Sequence, residues 1–346
     1  MDFGNYQDFM LETARTLLST DSPSGFTRRV VEKTETILRG LGYETSYSNK
    51  GSLIVHVPGR EHGKRVGLCS HLDTLGLMVR SIGEKGELNL TKIGGPILPT
   101  LDGEYCRIYT RDDRVYTGTV LSLSPAAHVF DDADSRTRDE QNMYVRIDEK
   151  VKNAADVRAL GIEAGDYICI DPKTVVTDRG FLKSRFIDDK GSAACLITLL
   201  KWMADTGERP RYDTELYFTV YEEVGHGGAA FAPDLIELLV VDMGCVGLDL
   251  TGTEYQVSIC AKDSGGPYDY ELVSRLAALA KEHGVDYAVD VFPHYTSDAT
   301  VAWKAGSDVR AALIGPGVHA SHGMERTHAD GMRNTVELME LYLECQ

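Results

Sequence analysis

The apolar positions of this chain change period twice. Residues 6–19 carry good helix formers, and 26–41 place Phe26, Val30, Ile37, Leu38 and Leu41 at helical spacing before Gly40 and Gly42 end the pattern. Two short runs, 43–48 and 52–57, flank Asn49-Lys50-Gly51 and predict a hairpin. Residues 65–69 predict a buried strand that delivers Ser70-His71-Leu72-Asp73 at its end. After Gly76 helical periodicity nearly vanishes. Short β-rich runs over 75–82, 87–93, 105–109, 115–123, 143–147 and 167–170 alternate with turns such as Gly94-Gly95-Pro96 and Asp102-Gly103, and 131–141 is a polar loop. The helix–strand alternation then resumes. Helices are expected over 191–203, 268–283 and 334–343, and strands over 213–221, 235–241, 256–261, 286–292 and 309–314.

The two changes of period predict an α/β domain, 1–76 and 178–346, interrupted by a small all-β barrel or sandwich over 77–177. The length of 346 residues agrees, because single cores stop growing below that size. With 42% hydrophobic residues the chain can bury a sizeable core.

Charge narrows the partners. A net charge of −17 and the absence of a long basic cluster argue against nucleic acid and anionic membranes. No apolar run is long enough to span a bilayer, and the acidic start Met1-Asp2-Phe3-Gly4 lacks a secretory pattern. The seven cysteines form no CxxC pair, and most sit in apolar runs as buried thiols do. A reducing, cytoplasmic setting is expected.

The pattern also places the chemistry. Leu216, Phe218 and Val220 share one face of a strand that runs into Tyr221-Glu222-Glu223-Val224-Gly225. Adjacent acids repel, so a pair at the end of a buried strand calls for a cation or a proton. Other ligand-type residues fall at other strand ends: His71 and Asp73, then Asp188 and Asp189 before a helix, then Asp242, then His319, His322 and His328 in a loop. In a mostly parallel sheet these ends share one edge, where sites are built. Each has an ordinary reading: a paired His-x-Asp, a helix cap, a turn residue, a surface histidine. Those readings would have to hold at five strand ends together. Two histidines with at least three carboxylates suit a pair of zinc, cobalt or manganese ions, whereas calcium wants oxygen alone. One further carboxylate must stay off the metals to act as a base.

His71-x-Asp73, Phe186-Ile187-Asp188-Asp189-Lys190-Gly191, Glu222-Glu223-Val224-Gly225, the strand ending at Asp242 and a late histidine resemble the glutamyl aminopeptidase family of dinuclear metallopeptidases. That family includes the tetrahedral (TET) and deblocking aminopeptidases and some endoglucanase-labelled relatives. Gly161-Ile162-Glu163-Ala164-Gly165-Asp166 and Ser297-Asp298-Ala299 are also similar to it. The resemblance implies a three-layer αβα, phosphorylase/hydrolase-like catalytic domain with an inserted barrel-like dimerisation domain. It implies a short-peptide substrate, two divalent ions per subunit, and a homo-oligomer from dimer to tetrahedral dodecamer. By resemblance, His71 and Asp242 bind one metal, Glu223 and His322 the other, and Asp188 bridges, with a cis peptide before Asp189. Asp73 orients His71. Glu222 is the general base toward a metal-bound water.

The late segment departs from the family's usual Arg-Tyr-x-His-Ser-x-x-Glu. Here it runs Gly317-Val318-His319-Ala320-Ser321-His322-Gly323-Met324-Glu325-Arg326-Thr327-His328, so His319 and His328 compete with His322. His226-Gly227-Gly228 stands where Leu-Arg-Gly is commoner, and Asp249 lies close behind Asp242. Two other readings remain: a metal-dependent amidase or deacylase of N-acylated amino acids or dipeptides, and a non-catalytic binding or assembly protein.

Overall fold

A computed structural model describes residues 3–344. The chain divides into two compact units, Met1–Asp73 with Lys173–Gln346, and Thr74–Pro172.

The smaller unit is a closed antiparallel barrel of six strands, Gly76–Ile82, Leu88–Ile93, Met143–Ile147, Val115–Ser122, Tyr105–Tyr109 and Tyr167–Ile170, each run close to its predicted range. Alternate residues such as Leu77 and Val79, Leu88 and Leu90, and Val145 and Ile147 point inward and are buried. Closure leaves the strands no free edge, which is how a barrel of this size resolves its unpaired backbone groups. The helix Ala154–Ala159 was not expected; Asn153 caps it, accepting from Asp156 N–H at 3.0 Å.

The larger unit is α/β. Its central strands are parallel: Glu61–His71 lies between Tyr212–Thr219 and Leu235–Val241, and Leu235–Val241 also pairs with Arg310–His319. The period of two sorts these strands into two cores. Leu68, Leu216, Phe218, Leu239, Val241, Ala312 and Ile314 face one cluster. Cys69, Tyr217, Leu238, Val240, Ala311 and Leu313 face the other. Helices cover both faces, which gives three layers. The helix Ile187–Thr206 is buried on nearly every side, so its sequence is apolar around the whole circumference. Among the described residues no helix is long and apolar enough to cross a membrane.

Register brings the functional edge together. Thr219 lies opposite His71 and Val241 opposite Ile314, so these parallel strands run out at one level. Three expectations near that edge change. The strand expected over 309–314 continues to His319, through Gly315-Pro316-Gly317. A Cβ at Gly315 would fall 1.9 Å from the Asp242 carbonyl oxygen, so glycine here marks a close backbone approach rather than a loop. The helix expected from 191 begins at Ile187, with non-helical dihedrals at Asp188 and Asp189. The last helix begins at Ala329 rather than 334, because the His328 side chain caps it and Gly331 is tolerated inside it.

Candidate metal centre

His71, Asp73, Asp188, Glu222, Glu223, Asp242 and His322 all converge at this edge. His71 Nε2 is 3.1 Å from Asp188 Oδ1 and 3.8 Å from Glu222 Oε2. His322 Nε2 is 3.6 Å from Asp188 Oδ2 and 3.7 Å from Glu223 Oε2. Asp188 therefore stands between the two imidazoles. Two groups of side chains bring ligand atoms within 4.8 Å of one another: His71 with Asp188 and Glu223, and His71 with Asp189 and Asp242.

The structure separates the three late histidines. His322 reaches the cluster. His319 is exposed and pairs across the sheet with Arg326. His328 accepts Asp330 N–H at 3.1 Å as a helix cap and packs against Phe181 and Tyr255. Ala320 and His322 both adopt left-handed φ, 61° and 63°, which turns the imidazole back toward Asp188.

Asp73 touches its neighbours in an unexpected way. Its backbone carbonyl, not its carboxylate, makes the short contact with His71 Nδ1, at 2.8 Å. Its carboxylate accepts Ser24 Oγ–H at 2.5 Å, Glu222 N–H at 3.1 Å and Glu223 N–H at 3.3 Å. Asp73 thus pins the turn that presents both glutamates. Tyr221, just before them, has a left-handed φ of 71°. Among the described residues the Glu222 carboxylate accepts no hydrogen bond, so its backbone is fixed while its oxygens remain unspent.

Two contributors carried no strong signal in the sequence. The turn Asp21-Ser22-Pro23-Ser24-Gly25 packs beneath the site: Ser22 Oγ donates to the Leu72 carbonyl at 2.8 Å and Ser24 to Asp73. Its Ser-Pro-Ser-Gly composition marks a turn and nothing more. Asp189 accepts Ser70 Oγ–H at 2.5 Å and His71 N–H at 3.2 Å through Oδ2. The motif over 186–191 marks Asp189 in the sequence, but not these bonds.

Behind the glutamates, Asp298 accepts Thr219 Oγ1–H and Gly228 N–H, both at 2.6 Å. A Cβ at Gly228 would lie 2.1 Å from the Asp298 carbonyl oxygen, against backbone that cannot yield. Gly228→Ala should therefore cost about 1–3 kcal/mol, the usual penalty of overpacking. Urea denaturation measures it; a variant as stable as its parent would show that this approach is not needed.

The electrostatics are those of a crowded acid cluster. Burial pushes Glu222 and Glu223 well above the ordinary range of a glutamate. Burial, reinforced by Asp188, raises Asp242 to about 7. Burial would raise Asp188 too, yet the imidazoles of His322 and His71 hold it below its usual range. Burial lowers His71, but Asp188 and Glu222 outweigh it and hold the imidazole well above its ordinary value. Among the described residues, Glu223 Oε1 and Asp189 Oδ1 are buried with no hydrogen-bond partner. A buried carboxylate oxygen without a partner is costly. These two, beside two imidazoles and further carboxylates, form a donor set that fits divalent cations of the zinc, cobalt or manganese type.

The sequence profile of the M42 glutamyl aminopeptidase family matches residues 51–338. YhfE of Bacillus subtilis, named as an aminopeptidase, is 41% identical over 335 residues, covering 96% of this chain and 97% of its own. The lysyl aminopeptidase of Pyrococcus furiosus is 24% identical over 322 residues, 89% of each chain. Among solved structures, the TET1 peptidase of Pyrococcus horikoshii, which can assemble into a tetrahedron or a large octahedral shell, superposes with a TM-score of 0.84 at 20% identity, covering 96% of this chain and 99% of the other.

Proposed function

The chain belongs to the M42 glutamyl aminopeptidase family and is a peptidase, and from that premise we propose that it is a dinuclear metallo-aminopeptidase that removes N-terminal residues from short peptides. The observation that carries this reading is the pinned glutamate turn. Asp73 accepts both the Glu222 and the Glu223 backbone N–H, Glu223 belongs to a group of ligand-type side chains, and the Glu222 carboxylate accepts no hydrogen bond among the described residues, which supports separate roles for the two acids.

In this reading His71, Asp188, Glu223, Asp242 and His322 hold two divalent ions, zinc or cobalt, with manganese as the alternative. When bound, the ions lower the pKa of water and polarise a carbonyl. The protein's own residues do the rest. Asp188, flanked by both imidazoles, is placed to serve both ions. Asp73 fixes the spacing between His71 and the glutamates through its carbonyl and its carboxylate. Glu222 takes the proton from the attacking water and passes it to the leaving amine. The cluster is buried, so these charges act in a low dielectric, where each is worth more than in water. Asp189, anchored by Ser70 and His71 N–H, supports the His71 end.

The six-stranded barrel is a candidate for self-association. We read the assembly as a homo-oligomer, from dimer up to a tetrahedral dodecamer, like the shells of the archaeal TET1 peptidase. Among the described residues six cysteines are free, and all of these but Cys245 are buried, which suits a reducing cytoplasm.

The test is a panel of fluorogenic aminoacyl amides with free α-amines, run beside their N-acylated counterparts with zinc, cobalt or manganese added. Hydrolysis of the free-amine set alone is expected. Turnover confined to the N-acylated set would replace this reading with an amidase or deacylase.

A further inference from the structure

The turn that carries His322 is fastened by a residue the roles above leave unused. Glu325 opens the strand Glu325–His328 and is 2% exposed. Its Oε2 accepts Asp188 N–H at 3.0 Å, and its Oε1 accepts His322 N–H at 3.0 Å. One buried carboxylate thus spends its two oxygens on the backbones of the two residues whose side chains face each other across the cluster. Charged acceptors of this kind make the stronger backbone hydrogen bonds. The same turn is tied from Arg185, whose Nη1 donates to the Gly323 carbonyl at 3.2 Å. The turn needs such ties. Ala320 and His322 are both left-handed, a conformation that residues with a Cβ keep only where their surroundings impose it.

We propose that Glu325 is a positioning residue that sets the separation of Asp188 and His322, and so the affinity of the ion they share with Glu223, without being a ligand itself. The inference rests on the reading of Asp188, His322 and Glu223 as ligands. A clamp serving the fold alone would lower stability and leave the metal affinity of the folded chain unchanged. A clamp that positions ligands makes the opposite prediction. Glutamine distinguishes them, because its amide offers one oxygen acceptor and turns an NH₂ toward the other backbone N–H.

The experiment titrates the full metal-free chain with zinc alone, by calorimetry. The parent chain is expected to show two binding events. In Glu325→Gln the event of the ion held between Asp188, His322 and Glu223 weakens by about 10–100-fold, the usual effect of removing an outer partner of a ligand, while the other, which shares only Asp188 with it, weakens less. Glu325→Asp keeps both oxygens, withdrawn by one methylene, and gives a smaller loss of the same event; it carries the test where the glutamine variant does not fold. His322→Ala combined with Glu325→Gln loses less than the sum of the two single losses, because part of the glutamate's effect runs through the histidine. Unchanged affinity for both events in a folded variant, equal weakening of both, or additive losses in the double variant would each overturn the inference while leaving the ligand assignment standing. A parent chain that binds no zinc would overturn the ligand assignment, and the inference with it.

Discussion

Glu222→Gln is expected to fold and bind divalent ions as its parent does, yet to lower kcat by about 10²–10⁴-fold, the range that a positioned acid–base group contributes. The substitution is nearly isosteric. The Glu222 N–H still reaches Asp73, so the turn that also presents Glu223 is kept. What is lost is the ability to accept a proton. Because the Glu222 carboxylate accepts no hydrogen bond among the described residues, no packing network falls with it. The effect should therefore appear in kcat, with KM changed little. Full activity in this variant would transfer the proton-moving role to another group.

Asp188→Ala should be at least as damaging, by a different route. Asp188 stands 3.1 Å from His71 through Oδ1 and 3.6 Å from His322 through Oδ2, so its two oxygens face the two imidazoles. Its removal should disable both metal positions at once. Lewis-acid stabilisation is worth several kcal/mol, and each 1.4 kcal/mol is tenfold, so kcat/KM should fall by about 10³-fold or more. The stabilisation that zinc gives the folded parent should vanish as well. For the parent, an ion at 100 times its Kd adds about 2.7 kcal/mol, which thermal melts resolve. A variant that still gains stability from zinc and still turns over would remove Asp188 from the centre of the site.

The α/β class and the small all-β barrel are legible in the sequence because they rest on period. The barrel strands are short β-rich runs between turn signals, and Gln7–Leu18, Arg28–Gly40 and Tyr270–His283 carry apolar residues at helical spacing, while Ile187–Thr206 is apolar on nearly every side. What escaped was short or paired late. The strands Phe181–Ser184 and Glu325–His328 are four residues each and gain their identity by pairing with one another across the chain. The Gly315-Pro316-Gly317 run has turn composition, but the neighbouring Asp242 carbonyl leaves room only for glycine, and the strand continues. His319 is the main competitor of His322 by spacing, with His328 behind it. In the structure His319 pairs across the sheet with Arg326 and His328 caps a helix, while His322 sits in a left-handed turn beside Asp188. Asp73 could be picked out by motif, but whether its carbonyl or its carboxylate meets His71 is a matter of ångströms that no pattern encodes.

The most direct measurement is equilibrium dialysis of the metal-free parent chain against zinc, with bound metal counted per subunit and hydrolysis of a free-amine aminoacyl substrate followed in the same samples. Two ions per chain, with activity absent before loading and rising with occupancy, is the predicted result. Undiminished hydrolysis by a chain that holds no metal would contradict it.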